Sequence, residues 1–258
     1  MRERWRLIID ESLDGALNMA LDRAAQIARE RGAAPPTLRL YRWARPTISI
    51  GRFQSADELD AGAIERLGCD VVRRHTGGRG VLHDDELTYS VSASVDDGIP
   101  RGVAASYRHL CAALAAAYRV LGVPAELLER DAQAAGSAAC YLAQTRADLA
   151  VDGRKLSGSA QVWSGDCVLQ HGSFTRTRDV VREAEVFSLG AEDAERLAGH
   201  TSTLASILGR VPEFAEIAQA VCEGFERTLD IDLEISGWTV LEAVEAQATA
   251  ENCSIRRV

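Results

Sequence analysis

Two residues, Asp152-Gly153, constrain this chain more than any others. They separate two runs of strand character, residues 147–151 and 154–163. Asp-Gly is a favoured dipeptide of the type I′ turn, whose central residues both take positive φ and whose twist matches that of paired strands. The sequence thus predicts a tight hairpin, and a hairpin commits its strands to antiparallel pairing. Ser164-Gly165-Asp166 turns the chain again into a third run, residues 167–174.

The flanking sequence alternates between helical and extended periods. Leu17, Ala20, Leu21, Ala24 and Ile27 share one face of a helix predicted over 14–31, which Gly32 and Pro35-Pro36 stop. Residues 37–43, 47–53, 69–74 and 87–95 read as strands, with Pro46 dividing the first two. Helices are predicted over 106–121, 213–229 and 238–250. Strands dominate the middle and helices flank them without strict βαβ alternation. The expected class is therefore α+β, a central mixed or antiparallel sheet flanked by helices. A Rossmann domain does not fit: GxGxxG is missing, and the glycine loop at 75–80 leads into a strand. The domain reading is a catalytic domain over 1–210 with a C-terminal helical segment, 211–258, packed on it.

Charge narrows the function classes. The formal net charge is −9, so a nonspecific nucleic-acid or membrane surface is not expected. No window approaches eighteen uninterrupted apolar residues. The N-terminus lacks an apolar signal core. Cysteines 69, 111, 140, 167, 222 and 253 form no CxxC pair, which argues against a disulfide framework and a zinc site, so a cytoplasmic location is expected. Of 29 basic residues, 28 are arginine and one, Lys155, is lysine. Coding bias explains scarcity, but a lysine that survives it is a candidate for a role that a forked guanidinium cannot fill.

Three segments hold the candidate chemistry. Arg73-Arg74-His75-Thr76-Gly77-Gly78-Arg79-Gly80 is either a solvated turn or a loop whose N–H groups approach a ligand closely. Arg154 to Gln161 carries Lys155 among small residues, just past the hairpin turn. Cys140 follows small residues in a loop-like setting, whereas Cys111 and Cys222 fall inside apolar helical stretches and read as buried packing. His83 and His171 each stand beside a glycine- or turn-rich stretch.

Together these segments resemble the lipoate–biotin ligase superfamily. The likeness runs through Leu38-Arg39-Leu40-Tyr41-Arg42-Trp43, Thr47 to Gln54, Arg73-Arg74-x-Thr-Gly-Gly, Val81-Leu82-His83-Asp84, Gly153 to Gln161 and Gln170-His171-Gly172-Ser173. Arg79 stands where ligases usually have a third glycine, and Cys140 precedes Lys155 by fifteen residues. Both features are similar to the cysteine-dependent octanoyltransferase branch, as is the want of an additional C-terminal domain. Ala147-Asp148-Leu149 and Tyr141 depart from that branch, the former towards the ligases.

The resemblance implies catalytic roles for Cys140 and Lys155. It implies substrate binding by Arg73, Thr76, Gly77, Gly78, Arg79, His83, Ser157, Gly158, Ser159, Ala160, His171 and Gly172, with no metal and no cofactor. The implied partners are octanoyl-acyl carrier protein and an apo lipoyl-domain protein or glycine-cleavage H protein. An ATP- and Mg²⁺-dependent lipoate ligase is the alternative.

Overall fold

A computed structural model describes residues 2–127 and 148–255. The chain begins with β1, Glu3–Leu13, which the sequence reading did not anticipate. Trp5 to Ile8 are all buried, so the run lacks the polar–apolar alternation that identifies a strand. Helix α1, Gly15–Glu30, follows, with the Asp14 carboxylate accepting the Ala16 N–H at its start. Then come β2, Thr37–Trp43, and β3, Thr47–Ile50. Helix α2, Ala61–Leu67, ends on Gly68 in left-handed conformation and leads to β4, Asp70–Arg73. The glycine loop runs into β5, Val81–His83, and then β6, Glu86–Ser94.

Helix α3, Val103–Val120, leads to the short β7, Glu126–Leu127. After the segment 128–147 come β8, Leu149–Val151, and β9, Arg154–Ser157. Strands β10, Ser159–Ser164, and β11, Cys167–Thr175, complete the meander. Helices α4, Val180–Val186, α5, Ala191–His200, and α6, Leu204–Leu208, precede α7, Phe214–Leu229. Strand β12, Ile231–Ile235, and α8, Val240–Cys253, end the described chain. The stretch expected as a helical C-terminal segment thus holds a strand between its two helices. No described helix is long and apolar enough to cross a membrane.

The main sheet has six strands in the order β10-β11-β6-β2-β1-β12. Its first four are antiparallel, and β2, β1 and β12 run parallel, so the sheet is mixed. One face packs on α3 and α7 through Leu38, Leu40, Val91, Leu114, Phe174 and Phe225. Gly224 lets those helices close: a Cβ there would lie 2.5 Å from the Ala117 nitrogen. The other face packs on α1 and α8 through Met19, Leu21, Tyr41, Trp43 and Ala246. Two three-stranded sheets, β4-β3-β5 and β7-β8-β9, stand beside it.

The hairpin forms at its predicted turn, with Asp152 and Gly153 at φ 50° and 74°. The single strand expected over 154–163 does not. It breaks at Gly158 into β9, which pairs with β8, and β10, which pairs with β11 in the main sheet. A bulge in the β8–β9 pairing, where Leu156 is the extra residue, precedes the break.

Helix α8 is tied to the sheet by a buried ion pair. Arg6 donates to both carboxylate oxygens of Glu242, at 2.8 and 2.5 Å, and to Thr37 Oγ1 at 3.0 Å. Burial opposes ionisation of Glu242, but Arg6 and the Thr239 N–H outweigh it and hold its pKa below the usual carboxylate range. Glu242→Ala leaves the guanidinium buried without its carboxylate and is expected to cost about 3–5 kcal/mol in urea unfolding, whereas Arg6→Met with Glu242→Leu recovers most of that loss.

Candidate active site

The break at Gly158 builds the site. Lys155 on β9 is fully buried, and its ammonium lies 3.0 Å from the Asp148 carboxylate, also buried. A Cβ on Gly158 would sit 3.1 Å from Lys155 Cε and 3.2 Å from Nζ. Glycine is thus what lets the lysine head reach the wall of a cavity lined by Asp148, Gly158, Ser159 and Ala160.

That cavity has a volume of about 150 Å³. Met19, Tyr41, Trp43 and Val81 give it apolar walls, and Gly78, Arg79, His83, His171 and Gly172 complete it. The backbone is packed closely around it. A Cβ on Gly172 would lie 2.7 Å from the Gly158 carbonyl oxygen, and one on Gly51 would lie 2.1 Å from that of Gly78. Both contacts are with main chain, so neither can be relieved by turning a side chain.

Two histidine–carboxylate pairs support the walls. His171 Nδ1 lies 2.9 Å from Asp22 Oδ2, and its Nε2 lies 2.7 Å from Thr76 Oγ1. Burial lowers the His171 pKa against the pull of Asp22, so the ring is neutral: Nδ1–H donates to the carboxylate and Nε2 accepts from the threonine hydroxyl. Asp22 also accepts from Arg39 at 2.8 Å, Tyr41 at 3.0 Å and Ser90 at 2.7 Å. Burial pushes its pKa up, and the His171 hydrogen bond, the Arg39 charge and the Ser90 hydrogen bond together overcome it and keep the carboxyl low.

In the second pair, His83 Nδ1 lies 2.7 Å from Glu86 Oε1, which also accepts from Thr88 and Ser173. His83 Nε2 meets Ser49 Oγ at 2.7 Å, and its ring stacks on Trp43 with centroids 4.1 Å apart. Glu86 is likewise held below the usual range, His83 and the two hydroxyls overcoming the effect of burial.

The residues singled out in the sequence fall into four groups. Gly78, Arg79, His83, Gly158, Ser159, Ala160, His171 and Gly172 line the one cavity. Thr76 touches it through His171, Ser157 donates to the carbonyl of the lining residue Ser173 at 2.9 Å, and Lys155 backs Gly158. Gly77 and Arg73 stand outside that lining: Gly77 accepts from Arg74, and Arg73 clamps the carbonyls of Gly51, Arg52 and Gln54. Cys140 lies outside the described residues.

Sequence reasoning passed over Asp22, Ser49 and Glu86, the partners of the histidines. Asn18 and Asp22, polar residues four apart beside the apolar stripe of that helix, were the one local signal of the first. Ser49 and Glu86 gave none, because β3 and β6 are buried throughout.

The lipoyl protein ligase A/B catalytic domain matches residues 14–226. Octanoyltransferase LipM of Symbiobacterium thermophilum is 40% identical over 263 residues, covering 97% of this chain and 96% of the relative. That of Exiguobacterium sibiricum is 36% identical and covers both chains completely. Among solved structures, lipoate-protein ligase A bound with ATP superposes with a TM-score of 0.79 at 23% identity, covering 97% of this chain and 95% of that one. The bipartite lipoate protein ligase of Thermoplasma acidophilum does so at 0.77 and 23%, covering 97% and 92%. At that identity the two ligases share the fold.

The protonation states predict how acid unfolds the protein. His171 has a folded pKa below the ordinary 6.5, as do His75 and His109, so the unfolded chain binds protons first and stability falls as the pH drops below about 6.5. Asp22 and Glu86 have depressed folded values, so their contribution is present above the ordinary carboxylate range and is lost at lower pH, through those folded values. Melting temperature against pH is expected to fall in two stages, and His171→Gln to shrink the upper one and, by removing a donor to Asp22, to shift the lower one upward.

Proposed function

The chain belongs to the lipoyl protein ligase A/B catalytic-domain family, and we propose that it works as an octanoyltransferase through a thioester on Cys140. The donor is octanoyl-acyl carrier protein. The acceptor is a lysine of an apo lipoyl-domain protein or glycine-cleavage H protein. The observation that carries this reading is the buried Lys155–Asp148 pair, set against the wall of an apolar cavity at the point where segment 128–147, with Cys140, rejoins the described chain.

In the first step the Cys140 thiolate attacks the carbonyl carbon of the donor thioester. The new C–S bond replaces the old one, and the carrier leaves as its thiolate. In the second step the neutral amine of the acceptor lysine attacks the octanoyl-enzyme. An amide forms, the amine gives up a proton and the Cys140 sulfur is released. Splitting the transfer this way is covalent nucleophilic catalysis. A thioester stores enough free energy to drive amide formation, so neither step calls for ATP.

Lys155 serves the negative charge that develops in both steps. A lone ammonium ~4 Å from an oxyanion or thiolate, at an effective dielectric of ~20, is worth about 4 kcal/mol. The Asp148 carboxylate cancels part of that and fixes the lysine head in one place, so aim matters more than net charge. Lysine fits because its compact head occupies the space left by Gly158, which the planar guanidinium of arginine overfills. The apolar walls from Met19 to Val81 take the alkyl chain, and Gly78 and Gly172 admit it close to the backbone.

The deciding assay offers octanoyl-acyl carrier protein and an apo lipoyl domain without ATP. Octanoylated acceptor is the expected product, whereas product appearing only with free lipoate and ATP would establish the ligase chemistry instead. Cys140→Ser is expected to show no octanoyl adduct in intact-mass spectra where the parent does, and a mutant labelled equally well removes the covalent role. Lys155→Arg is expected to lose most activity, at least tenfold in turnover, while still melting cooperatively.

A further inference from the structure

A second and larger cavity, about 520 Å³, opens beside the first. Arg23 of α1, Arg52 after β3, Arg73 at the end of β4, and Arg74 and His75 after it surround the cavity. Val162 and Trp163 of β10 and Asn252 of α8 are also in its walls, and among the described residues no carboxylate lines it.

Five buried or half-buried arginines elsewhere in this acidic chain are matched to carboxylates. Arg6 has Glu242, Arg29 has Asp97, Arg39 has Asp22, Arg176 has Asp85 and Arg178 has Glu183. The contacts that hold Arg23, Arg52 and Arg73 are neutral. Arg23 donates to Gln26 Oε1 at 2.6 Å, Arg73 donates to three main-chain carbonyls, and Arg52 lies over the exposed ring of Phe53. Among the described residues no carboxylate pairs with any of the three, so their positive charge is not neutralised. It reaches across the cavity: desolvation first, then the charges of Arg23 and Arg52, push the His75 pKa down. Like charges gathered around one concavity repel, and such a cluster is what an anion would stabilise.

The two cavities share Arg74. Along β10 the path from Gly158, behind which Lys155 sits, to Trp163 is five residues, roughly 16 Å at ~3.3 Å per residue. An extended pantetheine arm spans such a distance, with a thioester at one end and a phosphate at the other.

We propose that this arginine-lined cavity seats the phosphate of the pantetheine arm that carries the donor's octanoyl thioester. The inference rests on the octanoyl transfer described above and adds to it the feature by which the donor is recognised. A phosphorylated arm belongs both to an acyl carrier protein and to coenzyme A, so the cavity accepts either source. Arg23 and Arg52 bind the phosphate oxygens, and Arg73 adds charge from the end of β4.

The test compares three donors: octanoyl-pantetheine, which has no phosphate, octanoyl-coenzyme A and octanoyl-acyl carrier protein. Arg23→Gln and Arg52→Gln are each expected to raise KM about tenfold for the two phosphorylated donors, the size of one lost charge-assisted hydrogen bond, and to change it less than twofold for octanoyl-pantetheine. Calorimetric titration with 4′-phosphopantetheine and with pantetheine gives a readout free of turnover. The parent is expected to prefer the phosphorylated arm by tenfold or more, and Arg52→Gln to lose that preference. Equal rises in KM for all three donors, a rise confined to the carrier protein, or a parent that does not distinguish the two arms would each overturn the proposal. A parent that prefers the phosphorylated arm yet forms no octanoyl product keeps the phosphate site and rejects the transfer chemistry.

Discussion

The site depends on one buried carboxylate. Asp22 projects from α1 into the sheet and accepts hydrogen bonds from β2 through Arg39 and Tyr41, from β6 through Ser90 and from β11 through His171. An ionised carboxylate in such surroundings is tolerated only because its lone pairs are taken up by donors, one of them a full positive charge. The arrangement joins a helix to three strands and fixes the His171 tautomer. Through Thr76 it also holds the start of the glycine loop over the cavity. Glu86 does the same for His83 on the other wall.

The Lys155–Asp148 pair obeys the same rule with a different result. Here both charged partners are buried, with Asp148 and Gly158 lining the cavity and Lys155 set directly behind Gly158. The pair is thus held within the protein immediately behind the cavity wall. That combination suits stabilisation of transient negative charge, because the donor is already aimed before reaction and little reorganisation is left to do. The break between β9 and β10 makes this possible, since an unbroken strand would carry Lys155 along the main sheet and away from Asp148.

Much of the scaffold was readable from local pattern. The Asp152-Gly153 turn, the α1 stripe and the glycine loop leading into a strand all depend on nearest neighbours, and each is where the periodicity and turn chemistry put it. Strands β1 and β12 were not readable. The first is buried along its centre and the second is a largely exposed edge, so neither alternates. The split at Gly158 was hidden as well, because residues 154–163 look like one strand until two different sheets compete for its halves.

The sequence by itself determined the α+β class, the family resemblance, and the candidate lysine, glycine and histidine positions, because turn chemistry and short motifs are properties of adjacent residues. Tertiary structure decided which of those residues share a wall and which partner each one has. It put Asp148 against Lys155, Asp22 against His171 and Glu86 against His83, pairings set by how strands register and helices dock. It also gathered Arg23, Arg52 and Arg73, which come from three separate parts of the chain, around one cavity where no carboxylate stands among the described residues. Charge compensation depends on distances between residues far apart in the chain, and only packing fixes those.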